Sequence, residues 1–523
     1  MSIDRIRQEF RIALGFFPYI RNPLTLDQAR REITDRLYHR DARFLDLAQK
    51  LIYGNPNNPF RALLLWAGCQ YADLEKSVQT LGLETTLEKL RDDGVYLTLE
   101  EFKSQVPISR PGLHLETGES DFDNPYLQGK SIPAASSGSR AKSTRVLYDW
   151  NFFAEEASNE MFLYETHGLS RTPFAFWMPS LPSISGIHNL LMHARFRYLP
   201  DKWFSHLQPD RTSRTKMKLL AAGGNLFGLK LPHPEICDMG NADRVAIWME
   251  KTLKEKRTCM VKTFASSAIR IAQAALEKGI DISGSTMFTG GEPLTERRFR
   301  FLQSIGVHAF ARFVTTEVGL VAAGCPHRTR ADSMHLYTDR LAVIQRERTV
   351  KGIESTLRSL LFTTLSGCTG KILLNTELGD SATVEARSCD CLFGKLGMNL
   401  QISEVRSFDK LTGEGMTLLG STLDEVVGEL VQKAGGGPDD YQFWENQGEN
   451  GLTTLTITVS PRVKLSDEAT FASEILNRLQ SKDVGSSIAS HFWKQANTLK
   501  IVRESPHISR GFKMLPLIKQ PRV

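Results

Sequence analysis

The sequence has no long apolar stretch, and cysteine is scarce in it. No run approaches the about 18 apolar residues that a membrane-spanning helix needs. Seven cysteines, an odd number scattered over 523 residues, favour reduced thiols over a disulfide framework. The segment Met1–Phe10 alternates charged with apolar residues and so lacks the continuous hydrophobic core of a signal peptide. We therefore predict a cytoplasmic protein with no membrane span.

Concentrated charge is also missing. A net charge of +6 over 523 residues includes no basic run of the kind that marks a nucleic-acid surface, so we predict no nucleic-acid partner. The small excess of lysine and arginine suits anionic ligands such as ATP or CoA, although an ordinary solvated surface explains it better. With 41% hydrophobic residues the chain can bury large cores, and its length predicts more than one domain.

Three regions differ in their patterns. Residues 1–130 show mainly helical spacing of apolar residues, which predicts a helical N-terminal region that serves as packing material. Residues 131–407 alternate short β-rich runs with amphipathic helices; in the clearest unit, a strand at Cys259–Phe264 precedes a helix with Ser266 as N-cap and Gly279 as its stop. Residues 408–523 predict a smaller α+β lid. The predicted fold class is therefore α/β: a large domain of helices and mixed, largely parallel sheets, with a smaller mobile C-terminal lid.

Two loops that follow predicted strands are the most informative part of the chain. Met287–Leu294 reads Met-Phe-Thr-Gly-Gly-Glu-Pro-Leu and leads into a helix with Thr295 as predicted N-cap and Gly306 as its C′ residue. Arg312–Gly319 reads Arg-Phe-Val-Thr-Thr-Glu-Val-Gly and follows the next apolar run. Glycines allow a backbone to approach a ligand, and hydroxyls beside a carboxylate suit a phosphate and its Mg²⁺. Together the loops indicate ATP chemistry.

This pair of loops resembles the adenylate-forming superfamily, which includes acyl-CoA synthetases, luciferase-like enzymes and peptide-synthetase adenylation domains. The Gly-Gly-Glu-Pro-Leu form is most similar to the phenylacetate-CoA ligase branch. The resemblance implies that Phe313 stacks on adenine, that Thr315 and Thr316 supply hydroxyls and that Glu317 holds Mg²⁺. It also assigns the first loop to the nucleotide, through Gly290, Gly291, Glu292 and Pro293. Val314 departs from the glycine that is usual in the family.

The loop at 135–144 is rich in hydroxyls and cations. By composition alone it predicts a surface Ser-Gly loop, whereas the resemblance implies the phosphate clamp of the family. The clamp residues would be Ser136, Ser137, Gly138, Ser139 and Lys142.

Further site residues follow only from the resemblance. Asp380, just past a glycine, would bind the ribose hydroxyls, and Arg406 would contact ribose or phosphate. The hinge falls at Ser407, Phe408 or Asp409, because Phe408 stands where the family has an Asp. Gly415 would lie along the CoA tunnel. Lys513 would be the adenylation lysine, with Lys519 as the alternative.

A cysteine and histidine cluster is independent of the nucleotide. Cys389 and Cys391, together with Cys325 upstream, offer three thiolates, a common part of a structural Zn²⁺ site. The resemblance favours His335 over His327 as the fourth ligand, since some relatives carry a zinc knuckle here. Three buried free cysteines are the alternative interpretation.

The resemblance implies an enzyme that uses ATP and Mg²⁺ to convert a carboxylic acid into an acyl-adenylate, then transfers the acyl group to a thiol, with CoA favoured. A carrier-protein thiol, a protein cysteine or an amine are alternative acceptors. An inactive scaffold that keeps the fold is the alternative of another class. The oligomeric state is left open, with a homodimer as one option.

Overall fold

The architecture is known from a computed structural model. It describes residues 15–127, 131–135, 145–348, 357–407, 410–413, 416–437, 440–448, 451–482, 484–506 and 517–519. Within these ranges, no helix combines the length and apolar character needed to cross a membrane.

The N-terminal region is mainly helical, as its apolar spacing predicts. Its helices are α1 (Leu26–Tyr38), α2 (Arg40–Leu47, continued by the π-helix Ala48–Tyr53), α3 (Pro59–Trp66), α4 (Tyr71–Leu81), α5 (Leu83–Asp92) and α6 (Leu99–Phe102). Two short hairpins follow, formed by β1 (Ile108–Arg110) with β2 (Leu113–Leu115), and by β3 (Ile132–Ala135) with β4 (Arg145–Tyr148). The apolar faces of α2 to α5 join the largest hydrophobic core through residues such as Phe44 and Leu87.

One twelve-stranded sheet organises the large domain. Its strands fall into a parallel half and an antiparallel half. In the half from β10 to β7 all neighbours are parallel, and the strands are β5 (Phe174–Trp177), β6 (Lys202–Ser205), β7 (Pro234–Ile236), β8 (Met260–Phe264), β9 (Thr286–Gly290) and β10 (His308–Thr315). The helices around these strands are α7 (Trp150–Thr166), α8 (Ile184–Arg195), α9 (Arg211–Asn225), α10 (Ala242–Lys256), α11 (Ala265–Lys278) and α12 (Glu296–Ser304).

The helix boundaries test the predicted caps. The Oγ1 of Thr295 accepts a hydrogen bond from Arg298 N at 3.3 Å, so Thr295 caps α12 as predicted. Gly279 and Gly306 end their helices with φ of +65° and +76°. The predicted N-cap Ser266 is wrong, because α11 begins two residues earlier than predicted, at Ala265, with Phe264 as N-cap. The Ser266 hydroxyl instead donates to Glu292 Oε1 at 2.6 Å.

The other half of the sheet is antiparallel. Its strands are β11 (Gly319–Gly324), β12 (Met334–Leu336), β13 (Leu341–Arg348), β14 (Leu357–Thr364), β15 (Thr376–Ala386) and β16 (Leu400–Ser407), with the short helix α13 (Leu392–Lys395) before β16. The order of the whole sheet is β13-β14-β15-β16-β12-β11-β10-β9-β8-β5-β6-β7, and the change of direction falls between β10 and β11. The second informative loop therefore lies at the boundary between the two halves, and the first follows the neighbouring parallel strand, β9.

The C-terminal region is α+β. It contains the hairpin β17 (Lys410–Gly413) with β18 (Met416–Leu419), the helices α14 (Gly420–Lys433), α15 (Glu468–Lys482) and α16 (Val484–Ala496), and a sheet in the order β21 (Leu499–Arg503), β20 (Thr453–Val459), β19 (Tyr441–Gln447), β22 (Leu517–Lys519). It has its own core around Val427, Ile457 and Leu479.

Contacts between this region and the large domain include a hydrophobic cluster and a buried hydrogen bond. Ile488 and Phe492 on α16 pack with Leu207 and Phe264. The fully buried Arg298 donates to Gly451 O at 2.8 Å. The C-terminal region is therefore docked on the side where β6 and β8 end.

Candidate functional site

The two informative loops are neighbours in space. β9 and β10 pair in parallel, with Thr289 opposite Ala311, so both strands end at the same edge of the sheet. A Cβ atom on Gly290 would lie 3.5 Å from Arg312 O, and Gly291 has a φ of +73°. Backbone of the first loop therefore lies close beside the strand that leads into the second.

Glu317 lies in the turn between β10 and β11. Its side chain is only 5% exposed, and one carboxylate oxygen lies 2.9 Å from Lys103 Nζ. Lys103 is 11% exposed and lies immediately after α6, in the N-terminal region. The site thus holds an almost buried carboxylate that is paired with the Lys103 ammonium.

Two further contacts fix this turn. The Tyr148 hydroxyl donates to Thr316 O, and Val318 N donates to Thr315 Oγ1 at 3.4 Å. Gly319 has a φ of +76°, and a Cβ there would lie 2.0 Å from Glu156 Oε1. A side chain is therefore excluded at Gly319, where the chain turns back into β11.

Buried charged residues stabilise the turn into β11. Glu156 Oε1 accepts from Leu320 N at 2.6 Å and lies 3.2 Å from Arg340 Nη1, while Glu156 Oε2 is bonded to His188 Nε2. Burial alone would raise the pKa of Glu156, but the charges of His188 and Arg340 outweigh it and the pKa is lowered. Glu156 is therefore held as a carboxylate that accepts hydrogen bonds from the backbone of β11.

A second buried network holds β10 itself. Glu160 accepts from Arg312 Nη2 and from Lys262 Nζ, each at 2.5 Å. Burial, together with the neighbouring Arg312, lowers the pKa of Lys262 to about 7. Arg312, the first residue of the second loop, therefore bonds inward and serves to position the loop.

Glu292 also bonds inward. Its Oε1 accepts from Ser266 Oγ at 2.6 Å, and its Oε2 lies 2.7 Å from Arg298 Nη2. Arg298 in turn donates to Pro293 O at 2.9 Å. The carboxylate of Glu292 thus braces the first loop, and a nucleotide at this loop would meet its backbone.

The aromatic position of the second loop is partly open. Phe313 is half-buried and lies 6.4 Å from Phe362 between ring centroids. The pairing of β10 with β11 shifts register between Phe313 and Val314, and Val314 is 40% exposed. The bulge therefore turns Val314 outward at the place where the family has glycine.

Asp380 and Arg406 lie on adjacent strands. In the β15–β16 pairing Asp380 is opposite Ser407 and Ser381 is opposite Arg406. Asp380 is 7% exposed, and Arg406 Nη1 lies 4.0 Å from Asp332 Oδ2. The structure thus brings Asp380 and Arg406 close together.

Several predicted site residues lie outside the described residues. These are Ser136, Ser137, Gly138, Ser139, Lys142, Gly415 and Lys513, together with the hinge candidates Phe408 and Asp409. Lys519 belongs to β22. The roles suggested for these residues remain predictions.

The cysteine and histidine cluster assembles in the antiparallel half of the sheet. The ligand atoms of Cys325, His335, Cys389 and Cys391 all lie within 4.8 Å of one another. His335 Nε2 is 3.2 Å from the sulfur of Cys325 and 3.2 Å from that of Cys391, and the sulfurs of Cys325 and Cys389 are 3.4 Å apart. A tetrahedral zinc with bonds of about 2.3 Å to sulfur implies sulfur separations of about 3.8 Å, so the donor set fits Zn²⁺.

Hydrogen bonds around this cluster leave its ligand atoms in states that suit metal ligation. His335 Nδ1 lies 2.7 Å from Met398 O, an arrangement in which Nδ1 donates and Nε2 keeps its lone pair. Hydrogen bonding from the Cys325 thiol, aided by His335, lowers the pKa of Cys391 to about 3. His327 Nδ1 lies 3.9 Å from Cys389 Sγ and is not among the four clustered residues. The geometry thus favours His335.

Sequence reasoning missed Lys103 and Tyr148. Lys103 is separated from Glu317 by 214 positions and Tyr148 from Thr316 by 168, so no local pattern connects them. The interpretation of the N-terminal region as packing material alone is incomplete, since this region supplies the cation on Glu317.

No family model matches the chain, and no curated protein matches its sequence. Among solved structures, 2-hydroxyisobutyryl-CoA ligase in complex with 2-HIB-AMP and CoA, in the thioesterification state, aligns with a TM-score of 0.54 at 14% identity, over 96% of this chain and 91% of that one. An amide bond synthetase from Marinactinospora thermotolerans aligns with a TM-score of 0.43 at 12% identity, over 93% and 97%. The first alignment shows that this chain has the fold of that CoA ligase, and the predicted fold class is confirmed.

Proposed function

We propose that this protein is an adenylate-forming ligase. It would activate a carboxylic acid with ATP and Mg²⁺ to an acyl-adenylate and pyrophosphate, and then transfer the acyl group to a thiol, with CoA as the favoured acceptor. The Gly-Gly-Glu-Pro-Leu loop favours the phenylacetate-CoA ligase branch. The observation that carries the proposal is Glu317, an almost buried carboxylate paired with a cation at the edge where the parallel strands end.

Glu317 is the residue that would hold Mg²⁺. Its carboxylate fits a cation, since the Lys103 ammonium already lies 2.9 Å from one of its oxygens. When bound, the metal would neutralise charge on the polyphosphate as pyrophosphate departs. The fixed turn of Thr315 and Thr316 would orient this carboxylate and offer hydroxyls to the phosphates.

The other nucleotide contacts follow the motifs. Phe313 would stack on adenine, Asp380 would bind the ribose and Arg406 would contact ribose or phosphate. The triphosphate would meet the backbone of Gly290, Gly291, Glu292 and Pro293 and the clamp of Ser136, Ser137, Gly138, Ser139 and Lys142. Lys513 would offset the charge that develops at the α-phosphate as the carboxylate of the acid attacks it.

The thiol step would use the C-terminal region as a lid. Rotation about Arg406 to Asp409 would withdraw Lys513 and bring Gly415 toward the thiol. CoA is favoured because the ligase that shares the fold is bound to CoA and an acyl-adenylate. A carrier-protein thiol, a protein cysteine or an amine would use the same first half-reaction.

We also propose that the cluster of Cys325, His335, Cys389 and Cys391 holds a structural Zn²⁺. Four protein ligands would fill the tetrahedron and leave no position for water or substrate. The metal would tie β11 and β12 to the segment before β16, and so stabilise the antiparallel half of the sheet.

Pyrophosphate exchange tests the proposed function. The protein is mixed with ATP, labelled pyrophosphate and panels of aryl, fatty and small hydroxy acids, and exchange is measured with and without Mg²⁺. We expect at least one class of acid to give Mg²⁺-dependent exchange, after which CoA, carrier proteins and amines are compared as acceptors. Folded protein that gives no exchange with any acid would contradict the proposal and favour an inactive scaffold.

A further inference from the structure

We propose that Lys103 competes with the metal for Glu317: its ammonium neutralises this carboxylate in the ligand-free chain and moves away from it when Mg·ATP binds. The inference rests on the proposed function, in which Glu317 holds Mg²⁺. It adds a residue from the N-terminal region to the site and gives that residue a defined effect, namely control of how strongly nucleotide binding depends on metal.

The contact is an almost buried ion pair. Lys103 Nζ and Glu317 Oε1 are 2.9 Å apart, with 11% and 5% of the side chains exposed. Mg²⁺ binds carboxylate oxygen at about 2.0–2.1 Å and repels a neighbouring ammonium. An ammonium and a metal on the one carboxylate of Glu317 would therefore repel each other at close range, which weakens the ion pair when the metal binds.

The backbone that carries Lys103 is fixed. Phe102, the preceding residue, is 1% exposed, and Leu97 forms a β-bridge with Thr376. In the same segment, Arg110 Nη1 lies 2.6 Å from Glu101 Oε1. Since these contacts hold the main chain, exchange of ammonium for metal must occur by rotation of the flexible lysine side chain.

The displaced ammonium would stay near the anionic polyphosphate. The anchored main chain allows the Lys103 side chain to move only over its own length, and metal-bound ATP still carries net negative charge. Lys103 would therefore move from one anion to another. A purely structural ion pair makes a different prediction: its loss would weaken the turn equally for ATP with and without metal.

The test compares two affinities by calorimetry, with no carboxylic acid present. One is the affinity for Mg·ATP, and the other is the affinity for ATP passed over a chelating resin. The measured quantity is the ratio of the two dissociation constants, which cancels a general loss of folded protein. In the wild type, Lys103 already neutralises Glu317, so omission of the metal should weaken binding only modestly.

In Lys103→Met the metal-free nucleotide meets a Glu317 carboxylate that has lost the Lys103 ammonium, while Mg·ATP binds without first breaking this ion pair. We expect the ratio to rise about tenfold, an effect between that of losing an exposed ion pair and that of losing a fully buried one. Lys103→Arg should keep a ratio near that of the wild type. Arg40→Met is the control, since it removes a partly buried ion pair of the N-terminal region, 2.6 Å from Glu84, without touching Glu317 or the segment that carries Lys103.

A ratio in Lys103→Met within about twofold of the wild type would overturn the inference while leaving the proposed function intact, because it would show that the pair is structural. An equal rise in Arg40→Met would overturn it as well. If the wild-type protein binds no ATP at all, the proposed function itself fails, and the inference fails with it.

Discussion

His206 should make the stability of the protein depend on pH, and this can be worked out from its surroundings. The ring stacks on Trp177 with centroids 4.7 Å apart and packs against Phe492 of α16 at 5.0 Å. Its Nε2 lies 3.2 Å from Ser267 Oγ. Burial, with smaller contributions from the charges of Arg270 and His491, lowers the pKa of His206 from 6.5 to about 3. The ring is therefore neutral at the seam between the large domain and the C-terminal region.

The sign and size of the effect follow from that pKa. Between pH 6.5 and 3 the folded protein binds fewer protons at this ring than the unfolded chain does, so stability falls as the pH drops below 6.5. At pH 5 the ring lies about 1.5 pH units below its unfolded pKa, which corresponds to a loss of about 2 kcal/mol. At low pH the same free energy of protonation favours any state that exposes the ring to water, including one in which α16 has separated from the large domain.

His206→Phe removes the titration and keeps an aromatic ring in the stack. We expect the free energy of unfolding to fall by about 2 kcal/mol more in the wild type than in His206→Phe between pH 7 and pH 5. Other buried histidines contribute equally to both proteins and cancel. Urea denaturation followed by tryptophan fluorescence at the two pH values measures this difference. An identical pH dependence in both proteins would refute the reasoning.

Two further predictions concern the metal cluster and the lid. Cys389→Ser should release about one zinc per chain and lower the melting temperature before it alters chemistry, because it removes one of four ligands. Elemental analysis and thermal denaturation check this. Wild-type protein that is metal-free and of unchanged stability would contradict the zinc site and leave these cysteines as ordinary buried thiols. Lys513→Ala should abolish acyl-adenylate formation yet still convert a supplied acyl-adenylate to the thioester, since the lysine acts only in the first half-reaction. Lys519→Ala is the matched control, and activity retained in Lys513→Ala but lost in Lys519→Ala would reassign the role.

Local sequence patterns predicted the helix ends that depend only on neighbouring residues. The caps at Thr295, Gly279 and Gly306 are readable because a hydroxyl or a left-handed glycine acts within a few residues of the helix end. Ser266 has the same local signal, but its hydroxyl bonds to Glu292 instead, so a tertiary contact overrides the capping preference. The helix α16 was not predicted; Phe492 on α16 owes its burial to residues of the other domain.

The residues of the candidate site also divide into those that the sequence predicts and those that only the folded chain reveals. Glu317 and the cysteine cluster could be proposed from the sequence because each lies in a short motif with chemical meaning, whereas Asp380 was proposed only from the family resemblance. Lys103 could not, since its partner is 214 residues away. The inward bonding of Glu292 was also out of reach, because only the folded chain places Arg298 against it.

The central claim is that Glu317 holds the metal that adenylation needs, and pyrophosphate exchange in Glu317→Gln tests it most directly. The amide keeps the shape of the side chain but binds Mg²⁺ poorly, so we expect most of the Mg²⁺-dependent exchange to be lost. Circular dichroism should show a folded protein. Exchange at nearly the wild-type rate in folded Glu317→Gln would contradict the account.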